Sequence, residues 1–429
     1  MTMAIIMAAD RDIQMQFSKP RILYEICGRP MIEYVIEAVS EISDYDPMLV
    51  LNRGDEEIQN YLGLGDGVRY TYLEQNLGAV HAIMAGRDYL EGREGFVLIL
   101  AGDIPLITGK MLKDMVQFAG EGRYHAVVLS AKAENPRSYE EAPIYCFDIL
   151  SLLEILNNLD TSDAQGGDEY CLADLLTILE SSGKRIGVYE LQDSTELMRV
   201  TTKIDLARAD KAMRLRINYS HMEKGVTIID PENTYIGSKV VVGRDTLIYP
   251  GNVLEGETII GEGCILYPNS RIVDSKIGRG AQIQSSVILN SQIGEETTVG
   301  PFAYLRPGSI IGNKVRIGDF VEIKNSRVGD GSKISHLTYV GDGIVGKDVN
   351  LGCGVIFVNY DGEKKSTTVV EDHAFVGCNT NLIAPVKVER NAFIAAGSTI
   401  TEDVPEGSLA IARSRQINKE GWVEKRKKK

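Results

Sequence analysis

The chain has 429 residues, of which 44% are hydrophobic and 25% are charged, and its net charge at pH 7 is −14. This composition predicts a soluble protein of two or three domains. The acidic balance argues against binding to nucleic acid or to an anionic membrane, and no apolar run approaches the roughly 20 residues of a membrane-spanning helix. The six cysteines lie apart without a Cys-x-x-Cys pair, which is typical of reduced thiols in the cytoplasm, where we expect this protein.

Residues 1–202 alternate strand-like and helix-like segments. Apolar runs at 4–9, 47–51 and 96–101 predict strands, and helical periodicity marks 31–41 and 77–89. Continuous apolar runs are typical of parallel strands covered on both faces, so the alternation predicts a doubly wound, Rossmann-like α/β domain. Ligands bind such sheets at the carboxyl ends of the strands, which places a candidate site in the loops after Ala9 and Ala101.

A helical linker is predicted at 203–225, and a glycine-punctuated repeat follows over 226–401. Aliphatic-glycine pairs recur, often six residues apart, with the aliphatic residue at positions 236, 242, 260, 277, 293, 299, 311, 317, 328, 345 and 351. A six-residue period is typical of a parallel β-helix, in which each coil buries its aliphatic residues against the next. Glycine beside the aliphatic residue permits a tight turn that a β-carbon would hinder. Residues 402–429 lack the period, and we expect an extended tail there.

Several longer motifs follow one another in the C-terminal half. They are Leu-Arg-Pro-Gly at 305–308, Phe-Val-Glu-Ile-Lys at 320–324, His-Leu-Thr-Tyr-Val-Gly-Asp at 336–342, Asp-Val-Asn-Leu-Gly at 348–352, Asn-Tyr-Asp-Gly at 359–362 and Lys-Glu-Gly-Trp at 419–422. With the segments around the two N-terminal loops, they resemble the family of bifunctional glucosamine-1-phosphate N-acetyltransferases and N-acetylglucosamine-1-phosphate uridyltransferases of bacterial cell-wall precursor synthesis. The resemblance implies a homotrimer of left-handed β-helices with active sites between subunits, where acetyl-CoA donates an acetyl group to the amine of glucosamine 1-phosphate.

The residue types at these positions suit that chemistry. Taken alone, His336 would more often be an ordinary surface or core histidine, but within the ordered motifs it is the candidate general base, because imidazole titrates near neutral pH. Glu322 is expected to orient that imidazole. Arg306, Lys324 and Lys365 are cationic donors for the sugar phosphate.

The resemblance also implies contacts that the residue types alone do not. Tyr339 and Asn350 would contact the sugar, and acetyl-CoA would be held by Cys353, Asn359, Tyr360, Cys378, Ala396 and Arg413. The family has Ala at the position of Cys353 and Ser at that of Cys378. We expect Cys378 to lose a hydroxyl hydrogen bond to CoA of about 0.5–1.5 kcal/mol.

The N-terminal loop departs from the family pattern. Where the family has Leu-Ala-Ala-Gly-x-Gly-Thr-Arg-Met and then Pro-Lys, this chain has Met-Ala-Ala-Asp-Arg-Asp-Ile-Gln-Met at 7–15 and Pro-Arg at 20–21. Glycine amides in such loops approach phosphate closely, whereas Asp10 and Asp12 add bulk and negative charge. Repulsion at 4 Å is about 1 kcal/mol per charge pair even in water. Gln14 lacks the positive charge that stabilises transferring phosphoryl groups.

Other positions of the nucleotide site are also changed. Leu73 stands for the uracil-contacting Gln, Glu141 for a sugar-binding Asn, and Thr201 for the Asn that shares Mg²⁺ with Asp103. Positions that would still contact a nucleotide are Met7, Ala8, Ala9, Arg21, Gly78, Gly102 and Asp103. This pattern predicts a domain that keeps its fold while its uridyltransferase site has decayed.

Three hypotheses follow from the sequence. The first is an acetyltransferase of small-molecule substrates that carries an inactive nucleotidyltransferase-like domain. The second keeps both activities, with Asp10, Asp12 and Asp103 jointly holding Mg²⁺ in place of the lost Arg and glycine amides. The third is a non-catalytic scaffold or sensor in which both sites are relics.

Overall fold

The computed structural model describes residues 1–9, 19–63, 67–74, 78–131, 144–159, 171–191 and 194–427. These residues form two compact units, Met1–Met213 and Arg214–Lys429. The division falls inside a 21-residue helix, Lys203–Glu223, which occupies the predicted linker. Among the helices of the described ranges, none combines the length and the hydropathy needed to cross a membrane.

The N-terminal unit is built on a seven-stranded sheet. In spatial order its strands are Arg69–Leu73, Met48–Asn52, Thr2–Met7, Phe96–Ala101, Ile144–Asp148, Ala126–Ala131 and Ile186–Leu191. Neighbouring strands run parallel, except that Ile144–Asp148 is antiparallel to both of its neighbours. The predicted α/β fold is confirmed, with the difference that the sheet is mixed.

Helices surround this sheet, and a small two-stranded sheet joins Glu25–Ile26 to Arg29–Pro30. The α-helices are Met31–Ser40, Glu56–Leu62, Ala79–Ala85, Arg87–Leu90, Gly109–Glu121, Ile149–Asn158 and Leu172–Ser181, and the 3-10 helices are Arg21–Leu23 and Ser194–Leu197. The helix predicted at 77–89 is therefore two short helices, which meet at Gly86 because glycine is a poor residue for a helix interior.

The central strand Phe96–Ala101 shows why its apolar run is continuous. Val97 and Ile99 pack into one hydrophobic cluster, whereas Leu98 and Leu100 pack into another. Since alternate side chains of a strand point to opposite faces, both faces of the sheet are covered. All four of these side chains are fully buried.

The C-terminal unit is a left-handed parallel β-helix with three sheets. The first sheet contains Thr227–Ile228, Leu247–Ile248, Ile265–Leu266, Gln282–Ile283, Thr298–Val299, Arg316–Asp319, Lys333–His336, Asn350–Leu351, Phe375–Val376, Phe393–Ile394 and Leu409–Ala410. The second contains Tyr235–Ile236, Val253–Glu255, Arg271–Val273, Val287–Leu289, Tyr304–Leu305, Glu322–Lys324, Tyr339–Gly341, Ile356–Val358, Asn381–Ile383 and Thr399–Ile400. The third contains Val241–Val242, Ile259–Ile260, Lys276–Ile277, Gln292–Ile293, Ile310–Ile311, Arg327–Val328, Gly343–Val345, Thr368–Val370 and Val386–Val388. A 3-10 helix, Pro231–Asn233, precedes the second sheet.

The six-residue period places one aliphatic side chain inside the prism at each step. Ile236, Val242, Ile248 and Leu254 are all buried. The glycines beside such residues are required because successive coils approach closely, since a β-carbon at Gly243 would lie 2.5 Å from a backbone nitrogen of the next coil. Left-handed backbone conformations at the corners are instead adopted by residues such as Asp245, Asn269 and Glu296.

The segment predicted as an extended tail, 402–429, is in part regular. Leu409–Ala410 adds the last strand to the first sheet, and Trp422–Lys427 forms a short helix. The predicted extended tail thus contains one strand and one short helix. The strand pairs with Phe393–Ile394 through backbone atoms, so its position does not require the Ile-Gly or Val-Gly signature that marks earlier coils.

Candidate functional site

One corner of the β-helix, where the first sheet turns toward the second, aligns residues from successive coils. The amides of Leu337, Gly354, Asn379 and Gly397 each donate to the carbonyl of the preceding coil's corner residue, over 2.7–3.2 Å. Arg413 comes last in this series, and its Cδ atom would lie 3.7 Å from a β-carbon at Gly397. We call the aligned set the corner column: Asp319, His336, Cys353, Cys378, Ala396 and Arg413. Adjacent members are about 4.8 Å apart along the helix axis, the usual spacing of paired strands.

His336 is paired with Asp319 within this column. The two residues end the four-residue strands Lys333–His336 and Arg316–Asp319 and lie in register. His336 Nδ1 is 2.5 Å from Asp319 Oδ1, and this hydrogen bond lowers the pKa of the Asp319 carboxyl group. A carboxylate only accepts hydrogen bonds, so Nδ1 carries the proton and Nε2 of the neutral imidazole is left to accept one.

This pairing differs from the expectation that Glu322 orients His336. Glu322 Oε1 instead accepts a 2.8 Å hydrogen bond from Arg306 Nη1, and the Cα register of Glu322 is with Tyr339. Side chains at equal positions of adjacent coils meet, and Asp319 occupies the position of His336 one coil earlier, 17 residues back in the chain. Counting back one coil was the sequence signal that could have found Asp319.

The second sheet carries a cluster of cationic side chains at the end of its strands, where the chain turns toward the third sheet. Arg306 directly follows the strand Tyr304–Leu305, Lys324 ends the adjacent strand Glu322–Lys324, and Lys365 reaches Lys324 from the loop that precedes Thr368–Val370. The nearby ammonium of Lys365 lowers the pKa of Lys324, and Arg306 adds to the effect. Three positive charges held together in this way favour binding of a multiply charged anion.

An acidic residue, Asp342, anchors the loop next to the cationic cluster. Its carboxylate accepts hydrogen bonds from the side-chain amides of Asn325, at 2.6 Å, and Asn359. Burial acts to raise the pKa of Asp342, but these amides and the neighbouring lysines outweigh it, and the net pKa is lowered. Asn359 is itself buried, so its side chain fixes the start of the loop that carries Lys365.

The other sequence-predicted residues lie in three different places. The ring of Tyr339 lies over Gly341 on the second sheet. Tyr360 is exposed in the loop, and its hydroxyl group donates to the carbonyl of Gly362. Asn350 belongs to the first sheet, where its strand neighbours are Lys333 and Phe375, so it is separated from Tyr339 by the corner column.

The two loops expected to form the nucleotide site do meet at one edge of the N-terminal sheet. Met7 and Ala101 are in register at the ends of their strands, and the Gly102 amide donates to the Met7 carbonyl over 2.8 Å. Ala8 and Asp103 continue from these two strand ends and are buried. Ala9 also follows the first strand, and its carbonyl accepts a hydrogen bond from the buried side chain of Asn52. Gly78 begins a helix after Arg69–Leu73, two strands away in the sheet.

Asp103 is bonded to two arginines. Arg21 Nη2 donates to Oδ2 over 2.8 Å, while Arg199 donates from Nη2 to Oδ2 over 2.9 Å and from Nε to Oδ1 over 3.1 Å. The Asp103 side chain is 2% exposed. Arg199 was missed by sequence reasoning, because a residue 96 positions away carries no local signal of this contact.

These contacts do not suit a magnesium ligand. Both carboxylate oxygens of Asp103 accept hydrogen bonds from guanidinium groups, and the hydroxyl of Thr201 donates to Asp205. Within the described ranges, no group of three or more acidic, histidine or cysteine side chains is placed to hold a metal ion. Asp10, Asp12, Gln14 and Glu141 lie outside the described residues.

Comparison with known proteins gives matches to both units. Residues 4–169 match the family model of the MobA-like NTP transferase domain, and residues 239–273 and 290–325 match that of the bacterial transferase hexapeptide (six repeats). Among solved structures, 4-diphosphocytidyl-2C-methyl-D-erythritol synthase from Anaerococcus prevotii is 18% identical with a TM-score of 0.37, and covers 49% of this chain and 97% of its own. Molybdopterin-guanine dinucleotide biosynthesis protein A from Archaeoglobus fulgidus is 16% identical with a TM-score of 0.36, covering 50% and 98%. The chain thus combines an NTP-transferase domain with a hexapeptide-repeat transferase domain.

Curated relatives extend over both domains. The bifunctional protein GlmU of Clostridium novyi is 47% identical over 454 residues, which cover 99% of this chain and 98% of the relative. GlmU of Clostridium acetobutylicum is 46% identical over 452 residues, with the same coverage. The chain belongs to the GlmU family.

Proposed function

We propose that this protein transfers the acetyl group of acetyl-CoA to the amine of glucosamine 1-phosphate, and that its N-terminal domain does not transfer uridylyl groups. The first part is carried by one observation: neighbouring coils of the β-helix hold both His336, paired with Asp319, and the cationic cluster of Arg306, Lys324 and Lys365. A base and an anion-binding cluster are the two features that attack by a phosphorylated amino sugar requires.

Different residues bind the sugar phosphate and move the proton during acetyl transfer. The cationic cluster holds the sugar phosphate, and this orients the amine toward the corner column. As the neutral amine nitrogen forms a bond to the thioester carbonyl carbon, His336 Nε2 accepts the proton that the nitrogen loses. The carbon–sulfur bond then breaks, and His336 returns this proton to the departing CoA thiolate, so that the base is regenerated.

The remainder of the corner column suits a long acetyl-CoA molecule. Cys353, Cys378 and Ala396 have small side chains in successive coils after His336, and Cys378 and Ala396 are exposed. The column ends at Arg413, whose guanidinium group can pair with a CoA phosphate. Small side chains between a base and a distant cation leave room for the pantetheine arm along the corner.

A homotrimer is part of the proposal, because exposed apolar side chains lie next to the corner column. Phe302 and Phe320 stack with ring centroids 5.5 Å apart and are 59% and 57% exposed. Leu337, in the next coil, is also exposed. Since contiguous exposed apolar surface is typical of protein interfaces, this ladder supports a subunit contact at the active corner. Sedimentation equilibrium tests it, and a monomer at working concentration would contradict it.

The proposed loss of uridyltransferase activity rests on the arginines around Asp103. Metal-assisted phosphoryl transfer needs carboxylate oxygens that are available to Mg²⁺. In this chain Arg21 and Arg199 already bind them. The sequence changes act in the same direction, since Asp10 and Asp12 add negative charge to the loop that the resemblance assigns to a nucleoside triphosphate, and Gln14 lacks the positive charge that would stabilise it.

The bifunctional alternative is favoured by the relatives, which are named as bifunctional proteins and match over almost their whole length. Two assays on one preparation decide between the proposals. Thiol release from acetyl-CoA with glucosamine 1-phosphate measures the first activity, and pyrophosphate release from UTP with N-acetylglucosamine 1-phosphate and Mg²⁺ measures the second. We expect thiol release without pyrophosphate release, whereas pyrophosphate release would establish the alternative.

A non-catalytic scaffold is the outcome if neither assay shows turnover. Calorimetric titration with acetyl-CoA then separates a relic site from an inactive preparation. A scaffold gives no heat of binding, whereas the proposed transferase binds acetyl-CoA and loses thiol release on His336→Ala.

A further inference from the structure

We infer that Asp319 is the positioning residue for the catalytic base, holding His336 in the tautomer and orientation that acetyl transfer requires. The inference rests on the proposed acetyltransferase function and adds to it a residue that acts through His336. Its basis is the 2.5 Å contact between Asp319 Oδ1 and His336 Nδ1.

The β-helix backbone holds the pair in place from both sides. Asp319 and His336 are Cα partners in the first sheet, and the Leu337 amide donates to the Asp319 carbonyl over 3.0 Å. Each residue ends a strand of four residues, whereas most strands of this sheet have two. The longer strands extend the ladder up to the corner, so the carboxylate and the imidazole stack in adjacent coils with little freedom to separate.

The carboxylate has two effects on the base. It accepts the Nδ1 proton, which keeps Nε2 unprotonated and able to accept the proton of the amine. It also carries a negative charge beside the imidazolium ion that forms during the reaction, and this stabilises the charged form. The hydrogen bond with His336 lowers the pKa of the Asp319 carboxyl group, which favours its charged form.

The other charged groups around the pair do not replace Asp319. Arg316, on the same strand, contributes a positive charge that acts on the Asp319 carboxylate. Glu322, the carboxylate that the sequence predicted as partner of His336, is bonded to Arg306. The next coil supplies Cys353, not a carboxylate, at the corresponding corner position. Asp319 is therefore the anionic partner of His336 among the described residues.

The β-helix offers a matched control for the test. His373 Nδ1 lies 3.8 Å from Asp348 Oδ2, and both side chains are more than half exposed. This second Asp–His pair lies outside the corner column and outside the cationic cluster. Asp348→Asn therefore removes the same chemical group from the same kind of scaffold without touching the proposed base.

The experiment compares Asp319→Asn with Asp348→Asn in the full-length protein. For Asp319→Asn we expect kcat to fall about tenfold or more, a smaller loss than the roughly 10²- to 10⁴-fold that removal of a general base causes. Both KM values should change less than about twofold, because the inferred role of Asp319 is to act through His336 and not to bind a substrate. Asp348→Asn should match the parent protein in all of these.

A spectroscopic measurement keeps this inference separate from the proposed function. Nitrogen-15 NMR of the imidazole groups should show the Nδ1–H tautomer of His336 in the parent protein and a mixture of tautomers in Asp319→Asn. If the parent protein transfers no acetyl group, the proposed function fails while the NMR result still decides the role of Asp319. An unchanged tautomer together with an unchanged kcat in Asp319→Asn would overturn the inference. An equal loss of kcat in Asp348→Asn would also overturn the inference. If Asp319→Asn does not fold, Asp319→Ser is measured in the same way.

Discussion

Replacing Arg199 by alanine tests whether arginine stabilises the buried Asp103 carboxylate where a metal ion would be expected. The substitution removes the hydrogen bond to Oδ1 and one of the two to Oδ2. Leaving a buried charged acceptor unsatisfied costs about 1–3 kcal/mol. Loss of one partner of a fully buried ion pair costs about 3–5 kcal/mol. Because Arg21 remains bonded to Asp103 and Arg199 is 41% exposed, the lower range applies.

Hydrogen exchange followed by mass spectrometry measures this effect in the intact chain. Multi-domain proteins commonly depart from two-state unfolding, so a single melting curve would mix the contributions of the two units. A loss of about 1–3 kcal/mol should speed exchange in peptides covering Phe96–Ala101 by roughly 5- to 150-fold. Acetyl transfer at the β-helix should be retained, which shows that the C-terminal unit remains folded.

The control for this experiment is Arg53→Ala. Arg53 pairs with Glu74 at 2.8 Å, but both side chains are 71% exposed, and surface pairs contribute only about 0–1 kcal/mol. Added Mg²⁺ provides a second readout, because it should protect Arg199→Ala more than the parent protein if Asp103 becomes available. Exchange in Arg199→Ala as slow as in Arg53→Ala would refute the stabilising role of Arg199.

Three further predictions concern the acetyl-transfer site. His336→Ala should lower kcat about 10²- to 10⁴-fold with little change in either KM, because it removes the base and no binding group; an undiminished rate contradicts the mechanism. Cys378→Ser should lower the KM for acetyl-CoA by about 2- to 12-fold, which corresponds to recovering a hydrogen bond of about 0.5–1.5 kcal/mol. The control is Cys264→Ser, in the core away from the corner. An unchanged KM in Cys378→Ser shows that Cys378 does not face CoA. The third prediction is that phosphate binding at alkaline pH is accompanied by proton uptake. Lys365 lowers the pKa of Lys324, whereas bound phosphate raises it, so Lys324 groups that have lost their proton regain it on binding. In Lys365→Met the pKa of Lys324 rises toward its ordinary value, so the uptake should begin at higher pH. Calorimetry in buffers of different ionisation enthalpy measures this uptake, and uptake at the same pH in both proteins contradicts the effect of Lys365 on Lys324.

Local sequence patterns were sufficient for much of the architecture. The strand Phe96–Ala101 was predicted with the bounds that it has, because a run of six apolar residues can be satisfied only where both faces are covered. The repeat positions Ile236 and Val242 are buried as the six-residue period requires. Periodicity gives no signal for Leu409–Ala410, which joins the first sheet by pairing with Phe393–Ile394.

The sequence by itself determined the fold class and the family, along with the chemical types available at the site: one histidine at a motif position, a set of cations, and a damaged phosphate loop. Tertiary structure decided which of these groups meet. Asp319 rather than Glu322 became the partner of His336, because contacts between coils depend on the length of each coil. Arg199 reached Asp103 across 96 positions of the chain, because packing at the edge of the sheet brings the two segments together. In both contacts, the distance between the two side chains is defined only once the backbone has folded into coils and sheets.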